Sequence, residues 1–208
     1  MEEIDINNWN RKEHFEFFSH TDLPFYNTCF NLEIGNFKNR VKELKISLNT
    51  ALMYVTVKSL LKVENFLLRY ENGKVIKYDS LTPSFAHIKD GEELFRFITV
   101  EYNKDIYSFS ETVKEEINKS TKYFDFEEIK NRTNFVFISS LPWIPFTSID
   151  HTLSLNKFDS IPRITWGKYE NNGQKIILPY NIQVNHIFID GLHIGKFYES
   201  LNEEIHSL

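Results

Sequence analysis

The chain has 208 residues, enough for one domain with a sizeable core and too few for two ordinary ones. A net charge of −5 with no basic block argues against a nucleic-acid partner, and a single cysteine, Cys29, excludes an internal disulfide and fits a reducing compartment. The start, Met1-Glu2-Glu3-Ile4-Asp5, has no apolar h-region, and no apolar run approaches the roughly 20 residues of a membrane span, so the expectation is a cytoplasmic protein with no membrane contact.

The sequence holds 19 Phe and 10 Tyr, so the core and any pocket walls are expected to be rich in rings. In chain order, Asn8 is placed to cap a helix over residues 9–20 whose aromatic side is Phe15, Phe17 and Phe18. Residues 26–34 alternate as a strand, with Tyr26, Thr28, Phe30 and Leu32 on one side, and Gly35 ends it. Residues 37–44 read as an amphipathic helix, with Phe37, Val41 and Leu44 inward, and residues 48–63 as a more apolar one. Residues 67–70 and 75–78 flank Asn72-Gly73 and read as a hairpin with a turn-forming Asn-Gly. Extended pieces over 84–88 and 95–102 precede a helix over 106–117 that buries Phe109 and Val113. The polar stretch 118–133 reads as a long loop. Residues 134–139 form a buried strand stopped by Pro142 and Pro145. A long hairpin, 161–169 and 174–187, turns around Asn171-Asn172-Gly173, and a helix over 192–204 closes the chain. Repeats and linkers are absent from the sequence. The expectation is one domain over 1–208, with strands and helices interleaved as a mixed sheet under packed helices.

One stretch carries chemistry: Gln183-Val184-Asn185-His186-Ile187-Phe188-Ile189-Asp190-Gly191, where a strand pattern gives way to a helical one. An imidazole there can serve as a general base, because its ordinary pKa lies near neutrality. On these residues alone the plainer reading leads: His186 is a hydrogen-bonded core histidine and Asp190 a helix cap. His186, Asp190 and His193 could be spaced as metal ligands, but the expectation is no metal. With seven scattered glycines there is no phosphate-cradling loop.

The stretch resembles the HHxxxDG signature of the chloramphenicol acetyltransferases, shared by lipoyl-dependent acyltransferase cores. The likeness to the former extends, in order and with nearly the family's spacing, to Asn8-Trp9-Asn10-Arg11-Lys12-Glu13-His14-Phe15, Ile138-Ser139-Ser140-Leu141-Pro142-Trp143 and Thr165-Trp166-Gly167-Lys168-Tyr169. The resemblance implies a two-layer α/β fold, acetyl-CoA as co-substrate, and a homotrimer with active sites between subunits. By the same resemblance His186 is the general base, Ser139 the oxyanion donor (Ser140 beside it stays open), and Thr165 the holder of a water. Asp190 supports the loop and Arg11 is its partner.

The likeness breaks in places. Asn185 stands where the signature has its first His, Phe18 where the family often carries Tyr, and Phe25 where it usually carries Cys, while Tyr26 matches an aromatic position. Arg163, His151 and Asp159 fall where apolar or aromatic residues are usual, and the segment before Phe95 has lost the FHxETETFS-like pattern. Phe18, Phe25, Tyr26 and Arg163 are thus the acceptor-binding candidates. The implied activity is O-acetylation of chloramphenicol, an antibiotic-inactivating reaction. The alternatives are another alcohol acceptor, or a non-catalytic ligand-binding trimer. A dehydrogenase-complex core is disfavoured, since no lipoyl module or Ala/Pro-rich linker precedes the acyltransferase segments.

Overall fold

The computed structural model describes residues 1–208, the side chains of Ile129 and Asn131 excepted. Two sheets form. The small one sets β1 (Glu2–Ile4), β4 (Lys74–Lys77) and β3 (Leu68–Glu71) antiparallel, in the order β1-β4-β3. Asn72 and Gly73 both take positive φ, 51° and 83°, which gives the two-residue turn that the twist of a hairpin favours.

The large sheet runs β2 (Phe25–Glu33), β10 (Ile176–Asn185), β8 (Arg163–Gly167), β7 (Phe135–Leu141), β5 (Thr82–His87), β6 (Arg96–Thr99), with the short β9 (Glu170–Asn171) on β10. It is mixed: β7 lies parallel to both β5 and β8, and the other pairs are antiparallel. One face is apolar. Ile138, Ile164, Trp166, Tyr180 and Ile182 are buried there beneath α2 (Gly35–Glu43), α3 (Leu48–Leu60), α4 (Ile106–Lys119) and α6 (Gly191–Ser207). The α3 helix is buried almost all round, Thr50, Thr56 and Ser59 included, and Ser47 caps it by accepting from the Thr50 amide. Thr56 on α3 meets the Tyr180 hydroxyl at 2.9 Å, Phe30 lies against Tyr180 and Tyr198, and Lys58 and Lys62 clasp the buried Glu204 of α6. The expected inward side of β2 is thus the helix side.

The opposite face is polar and is crossed by the connection between β7 and β8, residues 142–162. Gly167 permits this crossing: a Cβ there would come within 2.9 Å of the Phe146 and Pro179 side chains and 3.0 Å of the Ile144 carbonyl. Among the described residues no helix is long and apolar enough to cross a membrane.

Five local expectations are corrected. The first helix, α1, spans Lys12–Ser19 and Asn8 does not cap it. Asp5 accepts from the Asn7 amide and from the Asn8 side chain at 2.7 Å, closing a separate 3-10 turn over Ile6–Asn8 and leaving Trp9 extended. Gly35 opens α2, directly after β2, so it starts a helix as it ends the strand. The stretch 118–133 holds a further helix, α5 (Phe126–Asn131), capped by Asp125. The 95–102 strand shortens to β6, and the 48–63 helix ends at Leu60.

A buried cation joins the two sheets. Arg69 on β3 is 1% exposed and donates to the carbonyls of Phe66, Leu68, Thr133 and Phe135 at 2.8–2.9 Å. Burial pulls its pKa down to about 10, still well above neutrality, so the charge persists. Arg69→Leu is expected to lower the unfolding free energy by about 3 kcal/mol or more, since it strands several buried carbonyls. Urea unfolding measures this, and an unchanged midpoint would show the clasp to be dispensable.

Candidate active site

The chain leaves β10 at Asn185 and turns through residues 186–190 into α6. Arg11, 7% exposed, holds this turn from the N-terminal segment. Its Nε donates to the Ile187 carbonyl at 2.9 Å and its Nη2 to the His186 carbonyl at 2.8 Å. Both Asp190 oxygens accept from the same guanidinium, the Nη2–Oδ1 contact measuring 2.6 Å. A planar fork of donors suits both tasks at once. Asp190 also starts α6: its amide donates to His193 Nδ1 at 2.9 Å, and the His193 amide donates back to the Asp190 carbonyl. His193 Nδ1 is therefore an acceptor, and burial lowers the His193 pKa and favours the neutral ring this needs.

His186 lies between rings. Phe18 stacks on it at 4.0 Å between centroids and 12° between planes, and Tyr26 lies 4.8 Å away on a tilt. Its Nδ1 is buried and sits 3.1 Å from Asp190 Oδ1, but out of line for a hydrogen bond, and Arg11 already engages that oxygen. The rings and the loop therefore orient this imidazole, without a carboxylate relay. The side chain is 35% exposed, and its Nε2 stays open. The Tyr26 hydroxyl reaches the Ile189 carbonyl at 3.3 Å; burial, with the Asp190 charge, pushes its pKa up to about 12, so it remains a neutral donor.

The second half of the site is a cavity of about 730 Å³ on the polar face, lined by Phe137, Ser139, Ser140, His151 and Arg163 among others. Strand register places its groups in two rows. Ser139 pairs with Thr165, and Thr165 with Asn181; two residues back, Phe137 pairs with Arg163, and Arg163 with Gln183. Alternation puts Ser139 on the face of Phe137 and Thr165, and Ser140 on that of the buried Trp166. Thr165 is 1% exposed and its Oγ1 has no partner, an orphan that points to a bound group beside Ser139. His151 Nε2 meets Asn181 Oδ1 at 2.9 Å; the Asn181 amide donates elsewhere, to Cys29 Sγ and the Ile149 carbonyl, so His151 is the donor. Burial lowers the His151 pKa, consistent with a neutral ring whose Nδ1 is left to accept. Arg163 does not project across the cavity. Asp159 binds its Nη2 at 2.6 Å, the Ile161 carbonyl its Nη1 at 3.1 Å, and it rides over the Phe137 ring.

The predicted site residues thus fall into two groups. Arg11, Phe18, Tyr26, His186 and Asp190 gather at one end of β10, with Phe25 paired to Asn185 beside them. Ser139, Thr165 and Arg163 line or border the cavity. Asn181, level with Ser139, and Asn185 lie about 13 Å apart along the strand, before the turn to His186. The structure therefore does not join His186 and the cavity within one chain. Sequence reasoning missed His87, Asn49 and Phe97 as cavity walls, and it treated Trp143 only as part of a matching segment. Asn49 is placed by accepting from the buried Trp166 indole at 3.0 Å, a partnership that no local pattern announces. Among the described residues no group of three or more His, Cys, Asp or Glu is gathered as for a metal.

The family model described as "Chloramphenicol acetyltransferase" matches residues 1–202. The chain belongs to the chloramphenicol acetyltransferase family. A chloramphenicol acetyltransferase from Escherichia coli is 30% identical over 205 residues, covering 96% of this chain and 91% of that protein. A solved structure named chloramphenicol acetyltransferase superposes with a TM-score of 0.89 at 26% identity, over 97% of this chain and 98% of its own. A probable dihydrolipoamide acetyltransferase from Listeria monocytogenes superposes at 0.63 with 14% identity, covering 100% of this chain and 95% of that one, which shows a shared fold alone. As a chloramphenicol acetyltransferase family member the chain is an acyltransferase, and the mixed-sheet, two-layer α/β architecture expected from sequence is the one found.

The Arg11–Asp190 clasp has a pH signature. Hydrogen bonding to Arg11 holds the Asp190 carboxyl below the usual carboxylate range, against the opposing effect of burial. A depressed folded-state pKa stabilises the fold above the unfolded-state value and loses that contribution as pH falls through the folded one. Asp190→Asn should therefore destabilise more at pH 7 than at pH 3 in urea unfolding, whereas an equal loss at both would overturn the assignment. Arg11→Ala should cost about 3–5 kcal/mol at neutral pH by the same measurement.

Proposed function

We propose that residues 1–208 act as one domain of a homotrimeric, acetyl-CoA-dependent O-acetyltransferase, with chloramphenicol as acceptor and antibiotic inactivation as the consequence. The observation that carries this reading is the separation of His186 from the Ser139 cavity within one chain, each otherwise equipped for half of one reaction. An oligomer that sets the His186 end of one subunit against the cavity of the next completes the site.

His186 Nε2 takes the proton of the acceptor hydroxyl as that oxygen attacks the thioester carbonyl. Ser139 Oγ–H donates to the oxyanion of the tetrahedral species, and Thr165 Oγ1 holds a water beside it. Collapse breaks the carbon–sulfur bond, and the imidazolium returns its proton to the departing CoA thiolate. Both substrates meet in one complex, so no acyl-enzyme forms. Arg11 and Asp190 keep the imidazole in place, while Phe18, Phe25 and Tyr26 wall the base side of the acceptor. Acetyl-CoA and a small alcohol are the only ligands this scheme needs. It calls on neither metal, nucleic acid nor membrane, and the cytoplasm supplies its acyl donor.

A second reading keeps the chemistry and changes the alcohol. Phe25, bulkier than the Cys usual in the family and paired with Asn185 beside His186, favours it.

His186→Ala should fold and assemble yet lose at least about 100-fold in kcat, and Ser139→Ala about 100- to 1000-fold. CoA-thiol release dependent on an alcohol, with mass spectrometry of the acetylated product, reads both. Wild-type turnover in His186→Ala would remove the base. Refolding the two inactive variants together should restore about a quarter of the sites, each pairing an intact His186 with the other variant's Ser139. No recovery from mixed subunits would place both groups in one chain and defeat the interface reading.

A further inference from the structure

Three residues that depart from the family pattern are physically connected. Asn185, 2% exposed, donates through Nδ2 to the carbonyls of Lys157 at 2.7 Å and Asp159 at 2.9 Å, while its Oδ1 accepts from the Ile187 amide at 2.9 Å. A neutral imidazole has one donor and one acceptor and could not serve all three groups. The exchange of His for Asn therefore adds a tie: it fastens residues 157–159 to the start of the base-bearing turn. The Asp159 side chain, fixed in turn, accepts from the Ile161 amide at 3.1 Å and from Arg163 at 2.6 Å. Both carboxylate oxygens are thereby engaged, and the pair is nearly buried, at 12% and 13% side-chain exposure.

What this chain of contacts presents to the cavity is the rest of the guanidinium. Two of its N–H groups are taken by Asp159 and the Ile161 carbonyl. The others are donors on the wall, backed by the Phe137 ring at 5.7 Å. Arg163 stands two residues from Thr165 on β8, and the same step separates Phe137 from Ser139 on β7, so its row lies about 7 Å from the row of the oxyanion donor. Resting on the acetyltransferase reading above, we infer that Arg163 is a specificity-determining residue that reads a hydrogen-bond-accepting group on the acceptor, away from the hydroxyl being acetylated, and that Asn185 is the positioning residue that holds it through Asp159. The acceptor class is an alcohol that carries such a group, such as a nitro or carboxylate substituent on a ring, in preference to an alkyl-substituted counterpart.

The test uses the full-length protein and a matched pair of aryl-substituted 1,3-propanediol amides, one para-nitro and one para-methyl. The wild type should favour the nitro compound by about tenfold or more, both in kcat/KM and in equilibrium binding by calorimetry, as expected for a hydrogen bond to a charged group. Arg163→Ile should bring both ratios close to one. Asn185→Asp keeps the bond from the Ile187 amide and loses both donations to carbonyls; it should lower the ratio in the same direction, raising KM for the nitro compound more than it lowers kcat. Combined with Arg163→Ile it should lower the ratio no further, a non-additivity that mere loss of stability does not produce. If Asn185→Asp does not fold, Asp159→Asn, which weakens the hold on Arg163 from the other side, should give the same shift. A ratio unchanged by Arg163→Ile would overturn the inference. Absence of acetyl transfer with an intact, Arg163-dependent binding ratio would instead overturn the acetyltransferase reading alone.

Discussion

Arg11 makes the longest-range tie in the site. A side chain near the N-terminus engages a carboxylate and two carbonyls in a turn about 175–179 residues away along the chain. Without it, residues 186–190 would present two carbonyls and a charged carboxylate with no nearby cation to satisfy them, and His186 would lose the frame that orients it. The imidazole makes no hydrogen bond of its own through Nδ1, so its position is set by the Phe18 and Tyr26 rings and by a backbone that Arg11 fixes. Asp190 is thereby spent as a structural group. The proximity of its Oδ1 to the ring, 3.1 Å, does not make it a relay partner.

The sheet imposes the second constraint. Its apolar face is covered by helices, so chemistry is confined to the polar face and to the strand ends. Register fixes Ser139, Thr165 and Asn181 in one row and keeps His186 beyond the end of β10. This leaves unpartnered polar atoms on the same face, at Asn27, Thr165 and Gln183. Buried polar groups without partners carry a cost, and a bound molecule, water or an adjoining subunit relieves it. The proposed oligomer accounts for both the separation of His186 from the cavity and these orphaned atoms.

The departures from the family pattern are not independent losses. Asn185, Asp159 and Arg163 are linked by hydrogen bonds into one rebuilt wall, with His151 held on Asn181 beside it. Read singly, Asn185 looks like a damaged motif. In the fold it makes more hydrogen bonds than a neutral histidine could.

The sequence by itself determined much of this. Apolar periodicity located α3, α4 and α6, Asn72-Gly73 located a hairpin, and four matching segments identified the family and named His186, Ser139, Asp190 and Arg11. These are local signals: a repeat of 2 or 3.6 residues, a turn needing positive φ, a motif of fixed spacing. Where local signals compete, the reading failed. Asn8 has the chemistry of a cap, but Asp5 took its amide, and the polar stretch 118–133 hid a short helix. Only the tertiary structure decided which groups share a row across strands, that Arg163 lies along the wall instead of across the cavity, and that His186 and the cavity stand apart. Those facts depend on strand order and register between segments distant in sequence, which no single stretch encodes.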